Sequence, residues 1–205
     1  MLERTIEKLQ LDGGCTVFDF TNTVNSRTTS PAFEYLKTYN DLLDWSQKVK
    51  LLPSRRIDVL REASSADSRG SEIALAKAKQ ARELLYRFFS TIATGSTPSK
   101  TDSSEFNMTL SECLSKLQLR IVNGTATADF AGDTPSLDEP LRVIMKSAYD
   151  ILTSEDFTRL KECPNCGWLF IDRTKNGKRK WCDMQVCGSR DKAMRYYHRK
   201  KSVDS

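Results

Sequence analysis

Four cysteines near the C-terminal end are the residues whose spacing points to chemistry. Cys163 and Cys166 stand in Cys-Pro-Asn-Cys-Gly, and after fifteen further residues Cys182 and Cys187 stand in Cys-Asp-Met-Gln-Val-Cys-Gly. Two close pairs across such a span supply four thiolates, the donor set of a tetrahedral structural zinc site. A redox Cys-x-x-Cys has no use for a second pair. Disulfides are disfavoured in the reducing compartment expected for an N-terminus without an apolar signal core. One structural Zn2+ per chain is therefore expected. Four thiolates leave no open position for water, so this metal should not hydrolyse a substrate. With one histidine in the chain, and neither a nucleophile elbow nor a phosphate loop, no enzyme is expected.

The elements that position the cysteines are partly legible. Trp168-Leu169-Phe170-Ile171-Asp172 is apolar and β-prone, Asn176-Gly177 is a tight-turn signal, and Lys178 to Trp181 leads back to the second pair. These features predict a hairpin across the span. After Gly188 the pattern is a basic helix, so the order is knuckle, hairpin, helix, as in a treble-clef finger. At about 100° per residue, Lys192, Arg195 and Arg199 share one side of that helix. Ala193, Met194 and Tyr197 are the expected packing face against Trp168, Phe170 and Trp181. A segment this short and this poor in apolar residues cannot fold on its own core, and metal binding supplies the deficit.

Charge separates the chain into two parts. The net charge is +5, yet residues 161–201 hold twelve Lys or Arg against four Asp or Glu. That segment carries +8 and the remainder −3. A basic module on a neutral-to-acidic body points to a polyanionic partner. DNA is expected, with RNA or the ribosome as the alternative and a protein partner on Trp168, Phe170 and Trp181 as a third reading. Candidate recognition residues are Arg190, Lys192, Arg195 and Arg199. Arg173, Lys178, Arg179 and Lys180 are candidate phosphate contacts.

The preceding chain reads as a mainly helical body within an α+β fold. Apolar periodicity predicts helices over 33–52, 55–65, 71–94, 103–116 and 138–152. Asn123-Gly124 predicts a short hairpin of strands 117–122 and 125–130. Cys15 to Phe20 fits a buried strand and a helix equally. The expected division is a body over 1–155 and a finger over 156–205. No apolar run approaches the ~20 residues that cross a bilayer, so a cytoplasmic protein is expected. A homodimer is expected because one small finger offers few contacts.

The finger residues resemble the CGNR zinc finger. The match runs through Cys163 and Cys166, Leu169-Phe170-x-Asp172-Arg173-Thr174, Arg179-Lys180-Trp181-Cys182-x-Met184, Cys187-Gly188-Ser189-Arg190, Lys192 and Arg195-Tyr196-Tyr197-x-Arg199. The body resembles the ABATE domain through Gly13-Gly14, Phe18-Asp19-Phe20-x-Asn22-Thr23, Tyr39-x-Asp41-Leu42-Leu43-x-Trp45 and Arg82 to Phe88. The resemblance implies a bacterial, stress-linked transcription regulator whose finger binds DNA. Ser189 departs from the signature, which has Asn there; at a helix N-cap the two side chains accept the same first-turn N–H groups. Asn22, Thr23 and Arg27 fall in a hallmark region of the resembling body. A sensor reading has them line a pocket for a small effector; the alternative is that they satisfy buried backbone groups.

Overall fold

The computed structural model describes residues 4–130, 134–154 and 157–203. Seven helices and two small antiparallel hairpins appear among them: α1 Thr16–Thr21, α2 Tyr39–Lys48, α3 Ser54–Ala66, α4 Ser68–Ala93, α5 Lys100–Leu114, α6 Glu139–Ser154 and α7 Ser189–Val203, with β1 Gln118–Val122 and β2 Thr125–Asp129 in one hairpin and β3 Leu160–Glu162 and β4 Leu169–Ile171 in the other. The fold is α+β and mainly helical. No described helix is long and apolar enough to cross a membrane.

The ambiguous stretch at 15–20 is helical. α1 is short and buries Val17, Phe18, Phe20 and Thr21. It touches α4, α6 and β4, so it joins the body to the finger. Phe18 meets Phe89 edge-on at 5.0 Å, and Phe20 lies 5.3 Å from Trp45. Gly13 makes the approach possible: a Cβ there would stand 2.6 Å from the Asp19 nitrogen. The Gly13 N–H instead donates to Asp19 Oδ1 at 2.8 Å.

Caps set the other boundaries more tightly than periodicity does. The first long helix begins at Tyr39, not at residue 33, because Thr38 and Asp41 form a capping box. Residues before it are not helical; one antiparallel bridge joins Val24 to Glu34, with Tyr35 N–H donating to Thr23 O and Asn25 N–H to Phe33 O. The gap between the helices expected over 55–65 and 71–94 shrinks to one break. α3 runs to Ala66, and Asp67 caps α4 by accepting from Gly70 N–H at 2.8 Å.

Buried charge ties the helices together. Arg82 holds Glu34 through two bonds of 2.8 and 2.7 Å and reaches Thr23 Oγ1 at 3.0 Å. Glu139 is buried and meets Arg56 Nε at 2.8–2.9 Å. The β1–β2 hairpin stands apart from this core, with Leu119 and Ile121 76% and 78% exposed.

The finger hairpin differs from the expected one. β4 pairs with β3, upstream of the first cysteine pair, in the register Leu160↔Ile171, Lys161↔Phe170, Glu162↔Leu169. The return leg 178–181 is not a strand. Lys161 holds this stretch instead: its ammonium donates to Arg179 O at 2.9 Å, to Gly177 O just before the leg at 2.6 Å and to Asp172 Oδ2 at 2.7 Å. One half-buried cation thus stands where a strand partner was expected.

Candidate functional site

The first cysteine pair sits in the turn between β3 and β4. Gly167 N–H donates to Cys163 O and Cys163 N–H to Trp168 O, both at 2.8 Å. Gly167 has φ +73, and a Cβ there would lie 2.6 Å from Arg27 Cβ. Only glycine permits both the left-handed turn and this contact with the body. The second pair sits where the chain turns helical. Asp183 caps a π-helical turn, Met184–Gly188, that carries Cys187 and runs directly into α7. The N-cap role expected of Ser189 therefore belongs to Asp183; Ser189 lies inside the helical run, and its hydroxyl donates to Met184 O at 3.4 Å.

All four thiols are buried, and one sulphur from each lies within 4.8 Å of every other. A tetrahedral Zn2+ with Zn–S bonds of ~2.3 Å has sulphur–sulphur edges of about 3.8 Å. The separations of 3.5 Å for Cys166–Cys182 and 3.7 Å for Cys182–Cys187 fit that tetrahedron. The donor set is complete with four sulphurs, so the site is structural. Hydrogen bonds from Cys166 and then Cys182 hold the Cys163 thiol well below the ordinary thiol range. A dication at the centre stabilises the remaining thiolates in the same sense.

The body grips the first half of the finger. Asn22 clamps Leu169, donating from Nδ2 to its carbonyl at 2.9 Å and accepting from its N–H at 3.1 Å. Arg27 N–H donates to Cys166 O at 2.7 Å, and Trp168 Nε1 to Val24 O at 2.7 Å. Ile171 N–H donates to Gly13 O at 3.0 Å. Thr23 Oγ1 donates to Phe20 O and accepts from Arg82, while the Arg27 guanidinium pairs with Glu83, donates to Thr21 O and stacks over Tyr86. The three residues expected to line an effector pocket thus make joints between body, helix α4 and finger.

Two residues that carry the site were not singled out by the sequence. Lys161 organises the loop after β4, and Asn165 Nδ2 donates to Cys187 O at 2.9 Å, linking the two knuckles. Asp172 is the partner that could have revealed Lys161. Its burial pushes the carboxyl up, but Lys161, Thr174 and the Arg179 N–H prevail and hold it well below the carboxylate range.

The basic residues divide into committed and displayed groups. Arg179 lies 4.8 Å from the centre of the Phe170 ring and donates to Trp181 O at 2.9 Å. Arg173 reaches Gly14 O at 3.4 Å, and Lys180 sits 5.3 Å over Trp181. Lys178, Arg190, Lys192, Arg195 and Arg199 are exposed. Arg195 pairs with Asp191 one turn away, and Arg199 lies 5.8 Å from the Tyr196 ring. The packing expected of α7 does not occur. Met194, Tyr196 and Tyr197 are 54–62% exposed, because Trp168 and Phe170 are buried against the body instead. α7 contacts chiefly the π-helical turn that precedes it.

Comparison with known families agrees with this geometry. Residues 14–155 match the ABATE family, described as "Putative stress-induced transcription regulator", and residues 159–200 match the CGNR zinc finger. The chain belongs to the ABATE family and carries a CGNR zinc finger with one structural zinc. No curated protein matches the chain.

Proposed function

We propose that the chain is a transcription regulator whose zinc finger binds duplex DNA through α7. The observation that carries this reading is the exposure of α7. It projects from the finger with Lys192, Arg195 and Arg199 along one side and Arg190 near its start. A helix of fifteen residues is about 22 Å long, and its width suits the major groove of B-DNA. Lys178 and Arg173 lie on the exposed loop after β4 and serve phosphates; Lys180 contributes from the rim of Trp181. Arg179 supports the loop and contributes its charge from there.

Fluorescence anisotropy with a duplex probe across a salt series tests the reading. Neutralising ~4–6 phosphates gives a slope of log K against log salt of roughly −4 to −5. Lys192→Ala and Arg199→Ala should each make that slope shallower by about 1. Tighter binding to structured RNA at matched salt would transfer the reading to RNA, and binding that ignores salt would end it. The exposed Leu119 and Ile121 on the β1–β2 hairpin support a homodimer. Sedimentation showing a monomer at every concentration would remove that part.

A further inference from the structure

A cavity of about 280 Å³ lies between body and finger, behind the zinc centre. Cys166, Cys182 and Cys187 line it together with Ser26, Thr29 and Arg190, whereas Cys163 does not. Three of the four sulphur-bearing residues therefore border a space that admits small molecules, although each is almost wholly buried. The two halves of the centre also differ in how they are held. The first pair lies within a hairpin fastened to the body by Asn22, Arg27 and Val24. The second pair joins it through sulphur and through the Asn165 bond to Cys187 O.

We propose that the zinc centre is an oxidation site for small peroxides, entered through this cavity, and that its oxidation unhooks α7 from the body. A thiolate sulphur attacks one peroxide oxygen, the O–O bond breaks, and the departing hydroxide takes a proton from solvent. A neighbouring thiolate then attacks the sulfenic sulphur and expels a second hydroxide, which is protonated in turn. Two thiolates lose two electrons and become one disulfide; the peroxide and two protons become two waters. With two ligands gone, Zn2+ leaves. Among the three cavity-lining cysteines, Cys182 lies 3.5 Å from Cys166 and 3.7 Å from Cys187. It is therefore the common member of the disulfide. Cys163, fully buried and outside the cavity, stays a thiol. The proposal rests on the zinc centre alone and is independent of DNA binding.

The test treats the zinc-loaded full chain with hydrogen peroxide and follows zinc release with a chromogenic chelator. Acid-quenched peptide mapping should find Cys182 disulfide-bonded to Cys166 or Cys187, with Cys163, Cys15 and Cys113 still alkylatable. Limited trypsin should then cut the basic tail while the body survives. Thr29→Trp at the exposed rim should slow zinc release several-fold with zinc content unchanged. Should that variant not fold, the unaltered chain still decides the matter. Cumene hydroperoxide should lag hydrogen peroxide by more than it does with free cysteine. Zinc held until the body unfolds, a disulfide containing Cys163, or rates that simply track free cysteine would each overturn the proposal.

Discussion

The two halves of the finger hold their shape by different physics. The first, Leu160 to Asp172, has Leu160, Cys163, Trp168, Leu169, Phe170 and Ile171 in the same core as the helices. Its backbone is anchored by Asn22 and Gly13, and its Glu162 carboxylate accepts from Tyr86 and Ser90 on α4. Hydrophobic burial and satisfied buried polar groups keep it in place. The second half, from Cys182 through α7, is largely exposed apart from its two cysteines and Gly188. It depends on coordination. One metal site therefore joins a segment that the body folds to a segment that the metal folds. The arrangement keeps a charged helix clear of the core while setting its position from inside the core.

Removing the metal should break this pairing most severely. Zinc affinities of zinc-finger peptides correspond to ~10–16 kcal/mol, and that stabilisation is concentrated in the second half. Chelation or Cys187→Ser should abolish the α7 contribution to far-UV circular dichroism and open the tail to protease. The body should still melt cooperatively. A single transition lost together with the tail would show that the two halves are one unit.

Asn22→Ala should weaken the other half. It leaves the Leu169 N–H and carbonyl buried without partners, at a cost of roughly 2–4 kcal/mol. The loss should appear in the denaturant midpoint while zinc stoichiometry stays at one per chain. Zinc loss in this variant would mean that body and metal hold the first knuckle jointly.

Asp19, which braces Gly13, offers a smaller and pH-dependent effect. Burial pushes its carboxyl up to about 6, against the Gly13 N–H and with help from Asp12. The folded chain thus binds this proton more tightly than the unfolded chain, where Asp titrates near ~3.9. The associated stability is complete below about pH 4 and is lost as the pH rises through about 6. Asp19→Asn should therefore gain roughly 1–3 kcal/mol at pH 7.5 and little at pH 4. Midpoints at the two pH values decide the sign. A loss at pH 7.5 would show that the carboxylate bond to Gly13 outweighs desolvation.

The smallest effect belongs on α7. Met194→Ser should change global stability by no more than about 0.5 kcal/mol, since the side chain is 54% exposed. A larger drop would reveal a packing partner for the helix.

Local signals explain what was legible. The Cys spacing announces the metal because four donors at fixed intervals have few other uses. Asn123-Gly124 announces a hairpin because its turn needs positive φ, and Asn123 and Gly124 have φ 50 and 77. Helix boundaries were less legible. Thr38 and Asp67 act as caps through bonds that compete with continued periodicity, and apolar spacing does not register them. The finger hairpin differs from its sequence signal for a related reason. Asn176-Gly177 makes a turn, yet 169–171 pairs with Leu160–Glu162 upstream of the cysteines, and the stretch after the turn is held by the Lys161 side chain.

The metal, the helical character of the body and the sign of the charge on each part are readable without any three-dimensional information. All three follow from composition and from spacing along one chain. Tertiary structure alone decided which surfaces are buried. Trp168 and Phe170 turned toward the body because Asn22, Val24 and Gly13 offer the backbone partners that a buried strand requires. With those aromatics turned into the core, α7 is left with Met194, Tyr196 and Tyr197 exposed. It stands exposed with its arginines and lysines displayed because the core was completed without it.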